Sequence, residues 1–249
     1  MLSFNSVAEE EAFLDLFDLC LHSKRLDLEI SENTFERILG ALYLDGLANW
    51  VDQLNPSKLA PYHGAVHEKL MTCYAFMGAA YHDIDWTSMR CIVAAACLHD
   101  FDHTGVNVSS TDDTVNIDRA LTGAKAIFKK SPLMFTDGEK LLVERLIACT
   151  RYPYLNEPVD LLEEIMRDAD MCMPYVSAPL REKLFHGLRQ ELATSGRIYT
   201  IEAFADGVVT FYSTGIQHTE WAKCLAIKHN LESTAQDLGS NLRMSSANY

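Results

Sequence analysis

Cys91-Ile92-Val93-Ala94-Ala95-Ala96-Cys97-Leu98-His99-Asp100-Phe101-Asp102-His103 is an apolar run that ends on an adjacent imidazole and carboxylate. A His-Asp pair at the end of a buried segment brings both groups to one point. Zinc, iron and manganese are held by this mixture of ligands. Two further pieces strengthen the pattern: Tyr62-His63-Gly64-Ala65-Val66-His67 upstream and Asp168-Ala169-Asp170 downstream. The chain therefore offers ligands in the order His, His-Asp, Asp.

Around these pieces the apolar residues recur at helical spacing almost throughout. The pattern predicts helices over residues 7–21, 31–54 (opening at Ser31 or Asn33), 62–81 and 86–99, and another running through Phe128. Thr136-Asp137-Gly138-Glu139 is a capping box opening a helix over 141–150. Further helices are expected over 158–173, 180–193 and 219–231. Gly207-Val208-Val209-Thr210-Phe211-Tyr212 is the one stretch that reads as a strand. The expected fold is all-α, a helical bundle with a metal site between its central helices. The 249 residues suit one domain, with a metal core over about 61–174, helices packed around it and a loosely held polar tail over 234–249.

Lys and Arg total 21 against 35 Asp and Glu, a formal charge of −14 that repels extended nucleic acid. A small anion is still compatible, because a metal ion inverts the local charge. The seven cysteines stand singly among apolar neighbours with no C-x-x-C pair, as reduced buried thiols do. No signal-peptide pattern opens the chain and no apolar stretch reaches spanning length, so no membrane association and a cytoplasmic location are expected. The oligomeric state is not legible.

His63 and His67 stand four positions apart on the predicted 62–81 helix, so both would project from one face. A helix, a turn and an antiparallel helix return the chain to the level of His99-Asp100. The nearer pair His82-Asp83 has no such return path and reads as helix-terminal chemistry. Asp168 and Asp170 point about 200° apart on a helix, so only one can face the metal. Asp170 is favoured, with Asp168 pairing with Arg167 or supporting a ligand from behind.

Together these residues resemble the HD superfamily of metal-dependent phosphohydrolases. Tyr62-His63-…-His67 with His99-Asp100-Phe101-Asp102-His103-Thr104-Gly105 is similar to the signature of class I cyclic-nucleotide phosphodiesterases. Ala169-Asp170-Met171-Cys172-Met173-Pro174 is similar to the element carrying that family's last ligand, and Ala148-Cys149-Thr150 to its Ala-Thr element. The resemblance implies that His67, His99, Asp100 and Asp170 hold a first divalent ion (Mn, Mg, Zn or Fe). Asp100 would bridge to a second ion. It further implies that His63 protonates the leaving oxygen and that His103 stands beside the nucleophile. Gly64 and Thr104 replace the family's Asn and Pro, Asn116 replaces a glutamate, and Asp118 and Arg119 replace histidines. The purine-gripping glutamine lacks its usual context, leaving Gln217 as the candidate.

Such a site would hydrolyse a phosphoester of a small nucleotide, cyclic nucleotides included, with a metal-activated water. Tyr62, Arg151 and Asn116 are the expected substrate-binding residues, and Asp102 or Asp118 would orient His63. Lys125, Lys129 and Lys130 read as a solvated face. Within the same superfamily, a 5′-nucleotidase or a deoxynucleoside triphosphate hydrolase is the alternative. A di-iron oxidase would need histidines between His103 and His186, where there are none. An inactive nucleotide-binding module would be expected to have lost a ligand, and all four are present.

Overall fold

The computed structural model describes residues 6–105, 113–154, 156–213 and 217–229. Eleven helices and one short 3-10 turn carry them, and no strand occurs among the described residues. In order these are α1 (Val7–Lys24), α2 (Glu32–Ala41), α3 (Asp45–Leu54), α4 (Ala65–Tyr81), α5 (Trp86–Leu98), α6 (Thr114–Lys130), α7 (Asp137–Ala148), α8 (Leu161–Asp170), α9 (Ala178–Thr194), α10 (Ile201–Ser213) and α11 (Glu220–Lys228). Ser6, Ser31, Asp85, Asp160 and Thr219 cap their helices with side-chain oxygens, and the Thr136–Glu139 capping box forms as expected.

A helix that is apolar on nearly every side must lie at the centre of its bundle. α4 buries every residue from Leu70 to Ala80, and α5 every residue from Cys91 to Leu98. The two pack on one another, with α1, α2, α8 and α11 also against α4, and α7 also against α5. The first turn of α4, the end of α5 and the end of α8 arrive together at one end of the bundle. The apolar pattern thereby positions His67, His99 and Asp170.

Three expectations about the elements need correction. The 31–54 helix is two helices, α2 and α3. Leu42 and Leu44 are both fully buried, whereas one continuous helix with a single buried face would splay them about 200° apart. The chain breaks at Tyr43, whose φ is 55°, and the Leu44 N–H closes on the Leu39 carbonyl at 2.8 Å. This is a left-handed helix stop formed without glycine. The 207–212 segment is not a strand but lies inside α10, where Phe204, Val208 and Tyr212 are buried at four-residue spacing. The 62–81 helix opens only at Ala65, so His63 stands outside it. The 234–249 tail lies outside the described residues.

Candidate metal centre and its cavity

His67 lies in the first turn of α4, His99 and Asp100 follow α5, and Asp170 ends α8. His67 Nε2 stands 3.2 Å from Asp170 Oδ1 and 3.6 Å from Asp100 Oδ2. His99 Nε2 stands 3.1 Å from Asp100 Oδ2 and 3.7 Å from Asp170 Oδ1. His99 Nδ1 donates to the Ala96 carbonyl at 2.7 Å, which turns the Nε2 lone pair toward the carboxylates. His99 Nε2 and Asp100 Oδ2 are both buried, and neither has a hydrogen-bond partner. Two buried acceptors facing each other call for a cation between them. Ligands each about 2.1 Å from one ion lie about 3.0–3.4 Å apart at octahedral or tetrahedral angles, close to the separations found here. His67, His99 and Asp100 could hold a metal ion, and Asp170 stands beside them.

In the absence of a cation, protons take over that task. Burial alone would lower the His99 pKa, but the adjacent Asp100 raises it to about 9. Asp100 in turn is held well below the usual carboxylate range, against its burial, by the His99 and His63 charges. Metal binding would displace such protons.

A second cluster adjoins the first and joins His63, His103 and Glu191. Glu191, on α9, accepts from Tyr62 N at 2.7 Å, His63 N at 3.0 Å and His63 Nδ1 at 2.6 Å. Burial would raise this carboxyl, but the His63 ring and the two N–H groups hold it below its ordinary value. The His63 ring stacks on His103 with centroids 3.8 Å apart, and Tyr62 stacks on His67 at 4.7 Å. His103 Nδ1 accepts from Gly105 N, and its Nε2 lies 3.7 Å from Asp113. Burial lowers the His103 pKa, but Asp113 and Asp100 outweigh it and raise the value.

Glu191 reaches this position because α9 runs against backbone. One turn earlier, a Cβ on Gly187 would sit 2.2 Å from the Pro61 carbonyl oxygen, so only glycine allows the approach. Gly64 is equally constrained. A Cβ there would meet the Ala60 carbonyl at 2.4 Å, which explains why the asparagine of the family signature has no place here.

No family model and no curated protein matches the sequence. Among solved structures, the chain is similar to the phosphodiesterase domain of the RhoPDE fusion protein from the choanoflagellate Salpingoeca rosetta. The TM-score is 0.61 at 14% identity, over 99% of this chain and 93% of that one. A second structure, the phosphodiesterase domain of Salpingoeca rosetta rhodopsin phosphodiesterase, gives a TM-score of 0.60 at 14% identity, over 99% and 97%. This chain has a phosphodiesterase-domain fold.

In this phosphodiesterase-like fold the two clusters floor a cavity of about 690 Å³. His63, His99, Asp100, His103, Asp113 and Asp170 line its polar side, and Phe185, Leu188, Phe204, Val208 and Phe211 its apolar wall. Of the residues expected to bind substrate, Tyr62 lines this cavity, whereas Arg151 and Asn116 do not. Arg151 turns into a separate small cavity. Asn116 is buried and fully committed: Oδ1 accepts from Thr104 N and Oγ1, and Nδ2 donates to Gly105 O and Asp113 Oδ1. It shapes the turn after His103 and leaves nothing for a ligand. Gln217 donates to the Tyr175 hydroxyl at 3.4 Å and is likewise absent from the lining.

Neither Asp102 nor Asp118 orients His63. Asp102 pairs with Arg119 at 2.7 Å, and Glu191 takes the orienting place. Asp168 does not pair with Arg167. It accepts from His218 N, Thr219 N and Thr219 Oγ1, tying α8 to the start of α11. Asp83 of the rejected pair is bound to Lys24, and His82 caps α4.

Sequence reasoning missed Glu191 and Arg197. Glu191 follows Leu184 and Leu188 on the apolar face of α9, and an acid at such a position was the available signal. Arg197 is the one Lys or Arg among the described residues that lines the large cavity. Its position in a connection between helices left no periodic signal to read.

Proposed function

We propose that this protein is a divalent-metal-dependent phosphodiesterase that hydrolyses a small nucleotide, cyclic nucleotides included. One observation carries the proposal: His67, His99, Asp100 and Asp170 converge, with His99 Nε2 and Asp100 Oδ2 unpartnered, beside a cavity large enough for a nucleotide that His99, Asp100 and Asp170 line. When bound, a divalent ion in such a site supplies Lewis-acid polarisation and acidification of water. Asp100, at the junction of both clusters, is the residue suited to bridge two ions.

The chain's own residues supply the remainder. Glu191 accepts the Nδ1 proton of His63 and stabilises a positive ring, so Nε2 is left to hold the proton that a leaving alkoxide needs. His103, stacked on that ring, restricts its rotation. The apolar wall excludes water and receives a base, and Arg197, which also lines the cavity, can meet the substrate's negative charge. An HD-superfamily 5′-nucleotidase or triphosphohydrolase remains the second reading.

The test is product analysis on a panel of cyclic nucleotides, dinucleotides, nucleoside monophosphates and deoxynucleoside triphosphates with Mn²⁺, Mg²⁺ and Zn²⁺. Phosphodiester cleavage should dominate. Release of inorganic phosphate from monophosphates, or of triphosphate, would replace it with the second reading.

A further inference from the structure

A second cavity, of about 180 Å³, lies between the end of α7 and α8 and is lined by Ala148, Cys149, Arg151, Pro153, Asn156 and Arg167. Two arginines line it, and no acidic residue does. Four arginines elsewhere find acids: Arg37 with Asp15, Arg90 with Glu139, Arg119 with Asp102 and Arg145 with Asp160 and Glu163. Arg181 and Arg189 instead donate to backbone carbonyls. Arg151 and Arg167 form no ion pair with any described residue, although the chain carries 35 acidic side chains against 21 basic ones.

Arg167 is only 6% exposed. Its Nε donates to Cys149 O at 3.0 Å, its Nη1 to Asn156 O at 2.8 Å, and its plane stacks 4.4 Å over the Tyr154 ring. The group is thus fixed in place, and the Cys149 carbonyl that would repel an anion is already engaged. Arg151 Nε is buried with no hydrogen-bond partner at all. Burying a positive charge without a counter-charge is unfavourable, and planar guanidinium groups match tetrahedral oxyanions in bidentate fashion.

We propose that the Arg151–Arg167 cavity is a binding site for a phosphate-class oxyanion, separate from the catalytic cavity. Its volume is below the roughly 300 Å³ of sites that enclose a whole small molecule, so a nucleotide would enter phosphate-first with its base outside. Pro153 lines both cavities, and Arg167 stands one helical turn before Asp170 on α8. An anion here would brace the helix end that presents Asp170. The proposal does not depend on the phosphodiesterase reading.

The experiment titrates the full chain with inorganic phosphate by calorimetry, comparing wild type with Arg151→Gln, Arg167→Gln and Arg197→Gln. Saturable binding should weaken roughly tenfold or more in Arg151→Gln, the loss of one charge-assisted contact, and should persist in Arg197→Gln. Arg167→Gln should weaken it further. If that variant fails to fold, the partly exposed Arg151 still decides the question. A second arm repeats the titration with a 5′-nucleoside monophosphate. Dependence on Arg151 for inorganic phosphate alone assigns the site to free phosphate, and tighter Arg151-dependent binding of the nucleotide assigns it to a nucleotide's phosphate group. Absence of saturable binding up to roughly 10 mM of either ligand, or binding that Arg151→Gln leaves unchanged, overturns the proposal.

Discussion

Replacing Glu191 separates proton donation by His63 from mere packing. The carboxylate accepts three hydrogen bonds, at 2.7, 3.0 and 2.6 Å, from Tyr62 N, His63 N and His63 Nδ1. Glutamine keeps one oxygen for the two backbone donors but meets Nδ1 with an uncharged amide. Glu191→Gln should therefore cost about 1–3 kcal/mol of stability, the range for one hydrogen bond to a buried charge. Glu191→Ala strips all three acceptors and should cost about 3–5 kcal/mol, as in breaking a buried ion pair. Both follow from denaturant unfolding. Turnover is a separate readout. Without the carboxylate a positive His63 ring loses its support, so Glu191→Gln should cut turnover on an unactivated nucleotide phosphodiester about 10²–10³-fold. With a nitrophenyl phosphodiester, whose leaving oxygen departs unprotonated, the loss should be under about tenfold. Metal content should not change. Equal losses on both substrates with metal retained, or unaltered turnover on the nucleotide, would refute the acid role.

The pH dependence has a defined sign. Glu191 is held below its ordinary value of 4.5, so its contribution is complete above that pH and is lost as pH falls through the lowered value. The melting-temperature gap between wild type and Glu191→Gln should be flat near neutrality and narrow in acid below about 4.5; a gap that widened there would contradict the assignment. Alanine at His67, His99, Asp100 or Asp170 should abolish activity and lower bound metal. Asp168→Ala should lower the melting temperature by untying α11 yet keep metal on elemental analysis. A chelator should lower the melting temperature and Mn²⁺ should restore it, because four ligands brought together by three helices bind an ion only in the folded chain. Arg197→Ala should raise KM about tenfold with kcat within about threefold, and the reverse pattern would remove Arg197 from substrate binding.

The sequence by itself determined the helical class, most element positions and the level at which His67, His99, Asp100 and Asp170 meet. The reason is periodicity. Apolar residues at helical spacing set which face of each helix is buried, and two near-continuous apolar segments forced α4 and α5 to the centre. Opposed faces on one helix also divided Asp168 from Asp170, as the structure places them. Local pattern could not tell where a helix stops without glycine, so the Leu42–Leu44 turn was hidden until both leucines had a core to enter. It misread 207–212 because β-branched and aromatic residues suit a strand until α10 finds a wall to cover.

Tertiary structure alone decided where His63 sits and how its ring is turned, since His63 lies outside α4 and is held by Glu191, 128 residues away in the chain. That contact depends on the Gly187 close approach, which depends in turn on how α9 docks. Arg197 lines the large cavity and Arg151 does not, for the same reason. The direction in which a side chain leaves a loop is set by the packing of distant elements, and no local residue pattern encodes it.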